Sequence, residues 1–94
     1  MEIVWQKRAV ADLYRVSEYI RQDNPAAAEK TGAAIKAASM NLVRYPEIGR
    51  VGKEPGTREL IVTDTPYFVV YRIRGDAVQI LRILHGKQKW PHSL

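Results

Sequence analysis

The sequence predicts an α+β domain in which an antiparallel helical hairpin packs on a small antiparallel sheet, in the order β-α-α-β-β-β. Three features lead to this prediction. Apolar residues recur with a helical period in the first half of the chain, an Asn-Pro pair divides that half, and tight turns separate strand-like segments in the second half. Helices followed by hairpin-linked strands are typical of a two-layer fold with the helices on one face of the sheet.

The first half of the chain begins with a strand and continues as a helix. Residues 2–5 are rich in β-branched and aromatic side chains, which favour a strand. The helical stripe that follows is formed by Ala9, Leu13, Val16 and Ile20. The opposite side should carry the charged residues Asp12, Arg15, Glu18 and Arg21. We expect this helix to end near residue 22, because Pro25 follows closely and disfavours helical geometry in the residue before it.

A second helix should run from Pro25 to about Arg44. Asn24 is a suitable N-cap, and proline is well placed in the first turn, where its missing N–H group needs no partner. The inner face of this helix is built from small residues, including Gly32 and Ser39. Glycine inside a helix costs about 1 kcal/mol relative to alanine. We therefore expect a tight hairpin in which the two helices approach closely at Gly32.

The second half of the chain should form three strands after a loop. Residues 46–56 contain three glycines and two prolines, which predicts the loop. Strands are expected over residues 58–63, 67–74 and 77–84, and the last two are joined by a tight turn at Gly75-Asp76. The middle strand is the most apolar, so it should be central in the sheet.

The composition fits one small cytoplasmic domain. A chain of 94 residues allows a single domain, residues 1–94, with a modest core. Cysteine is absent, which excludes a disulfide framework and a thiolate metal site. No apolar run reaches the ~20 residues that span a bilayer, and residues 1–10 lack the long apolar core of a signal peptide. We therefore expect neither a membrane partner nor a cofactor.

The positive charge lies mainly in the second half of the chain. Of a net charge of +5, residues 1–43 contribute +1 (six Lys/Arg against five Asp/Glu) and residues 44–94 contribute +4 (nine against five). Such a distribution favours an anionic partner, such as nucleic acid, the ribosome or an acidic protein segment. The alternative is a basic surface that serves only solubility.

The two histidines do not form a convincing metal site. His85 and His92 lie seven positions apart with a proline between them, and we predict no metal ligands. His85 closes the last predicted strand, and its imidazole could act as a general acid or base near neutral pH. A histidine at the end of a strand can equally be a structural edge residue.

Arginines lie on three neighbouring predicted strands. Arg72 and Arg74 are two residues apart and therefore share one face of their strand. Arg82 is on the next strand and Arg58 on the previous one. If these cations gather on one face, they can bind phosphates and stabilise a phosphoryl-transfer transition state without a metal. Alternatively, they pair with neighbouring carboxylates or form a solvated face.

The C-terminal tail combines cations with an aromatic residue. Lys87 and Lys89 precede Trp90. Aromatic rings among lysines can stack on nucleic-acid bases. Trp90 can also pack back onto the helices, which suits a small chain that is short of core residues.

These segments together resemble the ParE/RelE superfamily of bacterial type II toxins. The resemblance rests on the pattern RELIV…TPYFVVYRI…VQILRILHGKQKWP after an N-terminal strand and an Ala-rich helical hairpin, and it covers almost the whole chain. Its most specific parts are residues 67–72 and 80–91. The resemblance implies a small basic toxin with two helices against a small antiparallel sheet, neutralised by a cognate ParD- or RelB-like antitoxin.

The resemblance leaves two activities open. RelE-like members cleave mRNA in the ribosomal A site without a metal, and the catalytic residues here would be Arg58, Arg82 and His85. ParE-like members inhibit DNA gyrase and are not nucleases. The chain has Thr63 where RelE carries an arginine, and its ending LRILHGKQKWP is similar to ParE-type endings. We therefore favour a ParE-like toxin and keep the RelE-like ribonuclease as the alternative.

The resemblance also implies two binding surfaces. The target, either gyrase or the ribosome with its mRNA, would contact Arg72, Arg74, Lys87, Lys89 and Trp90. An antitoxin typically supplies an amphipathic segment, and its apolar and acidic residues would meet Leu13, Tyr14, Tyr19, Arg58 and Arg74. A non-toxic nucleic-acid-binding module is a further alternative, although no predicted helix is basic along one face.

Overall fold

A computed structural model describes residues 1–88 of the chain. Two helices and five strands follow one another in the order β1-α1-α2-β2-β3-β4-β5. Their bounds are Glu2–Trp5 (β1), Lys7–Arg21 (α1), Pro25–Asn41 (α2), Arg50–Val51 (β2), Arg58–Ile61 (β3), Tyr67–Arg74 (β4) and Ala77–His85 (β5). Both helices share one apolar core with the sheet, and the predicted α+β class is confirmed.

Helix α2 begins as the sequence predicts and ends slightly earlier. Asn24 is the N-cap, and its side-chain oxygen accepts a hydrogen bond from the N–H of Ala27 over 3.1 Å. Pro25 occupies the first turn. The helix ends at Asn41 rather than near Arg44, because the N–H groups of the next three residues bond to carbonyls three positions back instead of four. The chain therefore tightens into a turn at this point.

The contact between the helices does not depend on the missing side chain of Gly32. Gly32 is buried on α2, and a Cβ atom added there would meet Ser17 Oγ of α1 at 3.7 Å, an ordinary van der Waals distance. The helices do pack against each other at this position, as expected, but the space for a methyl group exists, so their approach does not require glycine.

The sheet is mixed rather than wholly antiparallel. Its strand order is β1-β5-β4-β3-β2, and β1 runs parallel to β5 while the other pairs are antiparallel. Strands joined by tight hairpins must be antiparallel, but β1 reaches the sheet through the helices and is free of that restriction. The predicted antiparallel arrangement is thus correct for β2 to β5 and wrong for β1.

The predicted loop over residues 46–56 contains the short strand β2. Arg50 and Val51 pair with Glu59 and Arg58 of β3. Two residues are too few to show an alternating pattern, so the glycines and prolines around them dominate the sequence signal. The added strand makes the order β-α-α-β-β-β-β.

A bulge in β5 changes which side chains face the helices. Val70 lies opposite Arg82, whereas Tyr71 lies opposite Ile80, so Leu81 is an extra residue in β5. Ile80 belongs to the core beneath the helices, whereas Leu81 packs against the apolar cluster of Phe68, Val70 and Leu84. Strict alternation therefore stops at Leu81, next to Arg82.

The loop before β2 is attached to the centre of the sheet by the hydroxyl group of Tyr71. Tyr71 is fully buried, its Oη accepts a hydrogen bond from Gly49 N–H over 2.9 Å, and it donates to the carbonyl of Pro46 over 2.8 Å. A Cβ atom at Gly49 would lie 2.6 Å from Tyr71 Oη and 3.0 Å from the carbonyl oxygen of Glu59. This position therefore requires glycine.

Two glycine substitutions should have opposite effects on stability. Gly32→Ala should stabilise the fold by up to about 1 kcal/mol, since alanine has the higher helix propensity and the space is free. Gly49→Ala should destabilise it by about 1–3 kcal/mol, because the methyl group overlaps a fixed hydroxyl. Chemical denaturation measures both free energies of unfolding. A clear loss of stability in the Gly32 variant would show that the helices do need the glycine.

Candidate partner-binding site

Helix α1 forms a ridge between two surface grooves. The strand-side groove, about 930 Å³ in volume, lies between α1 and the ends of β4 and β5. Its polar lining includes Arg8, Asp12, Arg15, Tyr19, Tyr67 and His85. The hairpin groove, about 710 Å³ in volume, lies along α1 and α2. Its lining includes Leu13, Tyr14, Ser17, Arg21, Gly32 and Lys36.

A buried ion pair joins α1 to β5 at the floor of the strand-side groove. Arg82 Nε donates to Asp12 Oδ2 over 2.6 Å, and Arg82 Nη2 donates to Oδ1 over 3.1 Å. The residues are 3% (Asp12) and 6% (Arg82) exposed. Arg15 Nη2 donates a hydrogen bond to Asp12 Oδ1 over 2.6 Å, and the N–H of Ile83 donates one to Asp12 Oδ2 over 3.0 Å. The carboxylate of Asp12 therefore accepts four hydrogen bonds.

These contacts keep Asp12 ionised. Burial alone would raise the pKa of Asp12, because it disfavours the charged form. The hydrogen bonds from Arg82, Ile83 and Arg15, together with the charge of Arg82, outweigh that effect, and the pKa lies below its ordinary value. Asp12 was expected on the solvent side of α1. It lies between Ala9 and Val16 at i+3 and i+7, which is a position on the buried stripe.

His85 ends β5 and lines the same groove as the ion pair. Its Nδ1 accepts a hydrogen bond from the N–H of Lys87 over 3.1 Å, and its own N–H donates to Gln88 Oε1 over 2.6 Å. Its ring contacts Tyr67 edge-on, with 5.4 Å between the centroids. Because Nδ1 is used inside the turn, Nε2 is the nitrogen that can serve a ligand.

The three predicted catalytic residues do not form one cluster. Arg82 and His85 both line the strand-side groove, but Arg58 lies elsewhere. Arg58 Nη1 donates to the carbonyls of Glu47 and Gly49 over 3.1 and 2.8 Å, so this side chain holds the loop that precedes β2. Their catalytic roles stay a prediction, but only two of the three residues share a site.

The predicted face of arginines is also divided. Arg72 follows Tyr71, whose ring is in the core beneath the helices, and its Nε donates to Gln79 Oε1 over 2.6 Å. Arg74 is exposed two residues further along the same face of β4. Arg82 instead reaches Asp12 on α1, so the expectation that the three arginines gather on one face is wrong. The register of β4 with β5 is the physical reason, since Arg72 lies opposite Gln79, whereas Tyr71 lies opposite Ile80 in the core beneath the helices. Arg82 is two residues after Ile80 and so has the parity of the helix side, whereas Arg72 and Arg74 have the other parity.

The predicted antitoxin-binding residues are distributed over both sides of α1. Tyr14 and Tyr19 are each 72% exposed. Leu13 and Tyr14 line the hairpin groove, whereas Tyr19 lines the strand-side groove. Lys87 is exposed in the turn after β5, and the predicted target contacts Lys89 and Trp90 lie outside the described residues. A partner that meets both tyrosines must therefore cross the ridge formed by α1.

Sequence reasoning also missed the buried carboxylate of Glu59. Glu59 Oε1 accepts hydrogen bonds from Arg50 Nε and Nη2 over 3.0 and 2.8 Å, and Oε2 accepts one from Lys53 N–H over 3.2 Å. This pair supports the short strand β2. The sequence gives no sign of this pair, because Arg50 lies in a segment predicted to be a loop.

Neither a metal cluster nor a membrane-spanning helix is found in the described part of the chain. Among residues 1–88, no group of three or more His, Asp or Glu side chains could hold a metal ion. No helix in that range is long and apolar enough to cross a membrane.

Comparison with known proteins gives a consistent result. Residues 3–90 match the family described as "ParE toxin of type II toxin-antitoxin system, parDE". The chain is 42% identical over 92 residues to "Putative toxin Y4kP" of Sinorhizobium fredii, with 98% of this chain and 95% of that protein covered. It is 39% identical over 85 residues to "Toxin RelE2" of Caulobacter vibrioides, with 90% and 94% covered.

A solved structure shares the fold closely. A chain of the solved structure "Chromosomal ParDE TA system from P. aeruginosa" superposes with a TM-score of 0.83 at 30% identity, covering 90% of this chain and 95% of the other. The match includes nearly the whole arrangement of helices and strands described above.

Loss of Asp12 should destabilise the fold strongly. Asp12→Ala leaves Arg82 buried without its carboxylate, which should cost about 3–5 kcal/mol. Asp23→Ala, at an exposed aspartate just after α1, should change stability by less than about 0.5 kcal/mol. Urea denaturation measures both free energies of unfolding. Equal stabilities for the two variants would show that the pair contributes little.

The same pair predicts how stability depends on pH. The pKa of Asp12 is lower in the folded chain than in the unfolded chain. Its stabilising contribution is therefore complete above the unfolded pKa of about 3.9 and is lost as the pH falls through the folded value. Asp12→Asn should lack this acid-dependent part of the stability, as measured by denaturation between neutral and acidic pH. An unchanged acid profile in this variant would contradict the assignment.

Proposed function

Because the chain belongs to the ParE toxin family of type II toxin-antitoxin systems, we propose that it arrests bacterial growth by inhibiting DNA gyrase. We further propose that a ParD-like antitoxin neutralises it by covering α1 and the grooves on either side. The proposed target follows the ParE-type match over residues 3–90 and the likeness to a chain from a ParDE system. In this reading the toxin is a binding protein rather than an enzyme.

The ion pair between Arg82 and Asp12 is the main observation that supports gyrase, rather than the ribosome, as the target. A ribonuclease of this fold needs cations that can meet a phosphate as negative charge develops on it. Arg82 is buried and ion-paired with the carboxylate of Asp12, and Arg58 donates hydrogen bonds to two loop carbonyls. Moving Arg82 to a phosphate would break a buried pair, which costs several kcal/mol. These commitments support a toxin that acts by binding.

A RelE-like ribonuclease is the second candidate. It is favoured by the identity to the Caulobacter protein named for RelE and by the position of His85 beside Arg82 in one groove. His85 Nε2 could exchange a proton with the reacting RNA, and Arg15 or Arg82 could stabilise the phosphate. In that case the target would be the ribosome with its mRNA.

The proposed antitoxin surface presents an exposed aromatic ring on the hairpin side. Tyr14 is 72% exposed and lines the hairpin groove beside Leu13. Exposed tyrosines are frequent anchors at protein interfaces, because a rigid ring buries much area at little entropic cost. The positive net charge of the toxin would also attract an acidic partner.

Two reactions test the proposed target with the same toxin preparation. Purified gyrase should lose supercoiling activity when toxin is added, while mRNA on translating ribosomes should stay intact when its 5′ ends are mapped by primer extension. The matched antitoxin should restore gyrase activity. Codon-phased cuts that require the ribosome, with gyrase unaffected, would contradict the proposal and establish the ribonuclease.

Tyr14→Ala should weaken antitoxin binding without unfolding the toxin. The loss of a central aromatic anchor should raise Kd by about fivefold or more, whereas the free energy of unfolding should stay almost unchanged because the ring is largely in solvent. Tyr45→Ala is the control, since Tyr45 is 55% exposed and lines neither groove beside α1. Isothermal titration calorimetry gives both affinities. An unchanged Kd for the Tyr14 variant would remove Tyr14 from the interface.

A further inference from the structure

We propose that the toxin contacts its target protein through the segment that connects α2 to β2 and includes β2. This segment, residues 45–51, is called the anchored loop below, and its large apolar side chains are exposed. The inference rests on the proposed inhibition of gyrase and names the part of the toxin that would make the contact. It differs from the sequence expectation, which assigned target binding to the arginines of β4 and to the C-terminal tail.

Three large apolar side chains of the anchored loop are exposed. The exposed fractions are 55% for Tyr45, 53% for Ile48 and 79% for Val51. Tyr45 and Ile48 line one hollow of about 370 Å³. Val51 is paired with Arg58, whose guanidinium group also bonds to the backbone of the loop. Exposed apolar residues that lie together, rather than singly, commonly mark a site of protein binding.

The backbone of the anchored loop is fixed from inside the protein. The buried Tyr71 hydroxyl accepts a hydrogen bond from Gly49 N–H and donates one to the carbonyl of Pro46. Arg58 Nη1 donates to the carbonyls of Glu47 and Gly49. Ordering a loop on binding costs free energy, and a loop that is already ordered avoids most of that cost. An exposed aromatic ring on such a backbone suits the anchoring role that tyrosines frequently have at interfaces.

The charges around the anchored loop favour an acidic partner over a second copy of this chain. Residues 44–59 carry four cations (Arg44, Arg50, Lys53 and Arg58) against three carboxylates (Glu47, Glu54 and Glu59). Arg50 and Arg58 have carboxylate partners, whereas within residues 1–88 the exposed side chains of Arg44 and Lys53 take part in no ion pair. A second copy would bring like charges together, and each chain has a net charge of +5. A protein surface with carboxylates around an apolar centre fits the loop better.

The anchored loop lies away from the surface proposed for the antitoxin. Helix α1 is joined to β5 by its Asp12–Arg82 ion pair, whereas β2 forms an edge of the sheet three strands from β5. Three strand spacings correspond to about 14 Å. Tyr45 and Ile48 line neither groove beside α1. Target and antitoxin would therefore contact different parts of the toxin, and the antitoxin would neutralise it by obstructing the approach of a large target.

The first test compares two isoleucine variants with nearly equal exposure. Ile48→Ala alters the anchored loop, and Ile61→Ala on β3 is the control, since Ile61 is 58% exposed and lies outside the loop. Inhibition of supercoiling by purified gyrase measures the effect on the target, and calorimetry measures binding of the purified ParD-like antitoxin. Thermal unfolding confirms that both variants fold.

Ile48→Ala should require about tenfold more toxin than the unaltered chain for half-inhibition of gyrase, because it removes an apolar contact at the centre of the proposed interface. Ile61→Ala should stay within about twofold of the unaltered chain. Both variants should bind the antitoxin with unchanged affinity, since neither residue lines a groove beside α1.

A charge reversal tests the acidic nature of the partner. Lys53→Glu should weaken binding to purified gyrase by about fivefold at about 50 mM salt, and the difference should shrink at about 500 mM salt. Lys30→Glu is the control with an equal change in charge, because Lys30 is exposed on α2 and lies outside the anchored loop. Biolayer interferometry with immobilised gyrase measures both affinities.

Three results would overturn the inference. Equal inhibition of gyrase by the two isoleucine variants would show that the anchored loop does not contact the target. Weakened antitoxin binding by the folded Ile48→Ala variant would assign the loop to the antitoxin. A dimeric unaltered toxin that becomes monomeric in this variant, as measured by sedimentation, would assign the loop to a second copy. Failure of the unaltered toxin to inhibit gyrase would instead overturn the proposed function on which the inference rests.

Discussion

The ion pair between Asp12 and Arg82 is the interaction on which the rest of this structure depends. It joins α1 to the bulged part of β5, and the same carboxylate also accepts the backbone N–H of Ile83. One carboxylate on α1 therefore fixes the helix against the segment of β5 that follows the bulge. A buried arginine and a buried aspartate are each costly alone, and they tolerate burial only because each satisfies the other.

This constraint shapes the functional surface. With α1 held against β5, the helix lies between the strand-side groove and the hairpin groove, and its exposed tyrosines lie on opposite sides of the ridge. Because Arg82 is ion-paired with Asp12, its guanidinium group is not positioned to bind a phosphate. This arrangement supports the proposal that the toxin acts by binding another protein.

The elements with strong local signals could be predicted from the sequence. The structure agrees with the predicted bounds of β1 and β4 and with the predicted start of α2 at Asn24-Pro25. These predictions succeed because alternation, capping and proline geometry act over a few residues. The parallel pairing of β1 could not be predicted in this way, since its partner β5 lies at the other end of the sequence. Strand β2 could not be predicted either, because two residues show no alternation.

The candidate site was predictable only in part for the same reason. Tyr14, Tyr19 and His85 were recognised as residue types that suit binding or proton transfer. The role of Asp12 was not, although its position between Ala9 and Val16 places a carboxylate on the buried stripe and so demands a cation. The faces of the arginines on β4 and β5 depend on the register between these strands, in which Arg72 lies opposite Gln79 and Tyr71 opposite Ile80, and the parity within each strand does not give that register.

The central claim is that Arg82 is a structural residue of a toxin that acts by binding. It is tested most directly by the double variant Asp12→Asn, Arg82→Met. The asparagine keeps an acceptor for the N–H of Ile83, and the methionine replaces the arginine by an apolar side chain. Growth arrest on induced expression of this double variant is the measurement. The account predicts that the folded variant still arrests growth. A variant that folds normally and is harmless would show that the guanidinium group of Arg82 takes part in the toxic reaction.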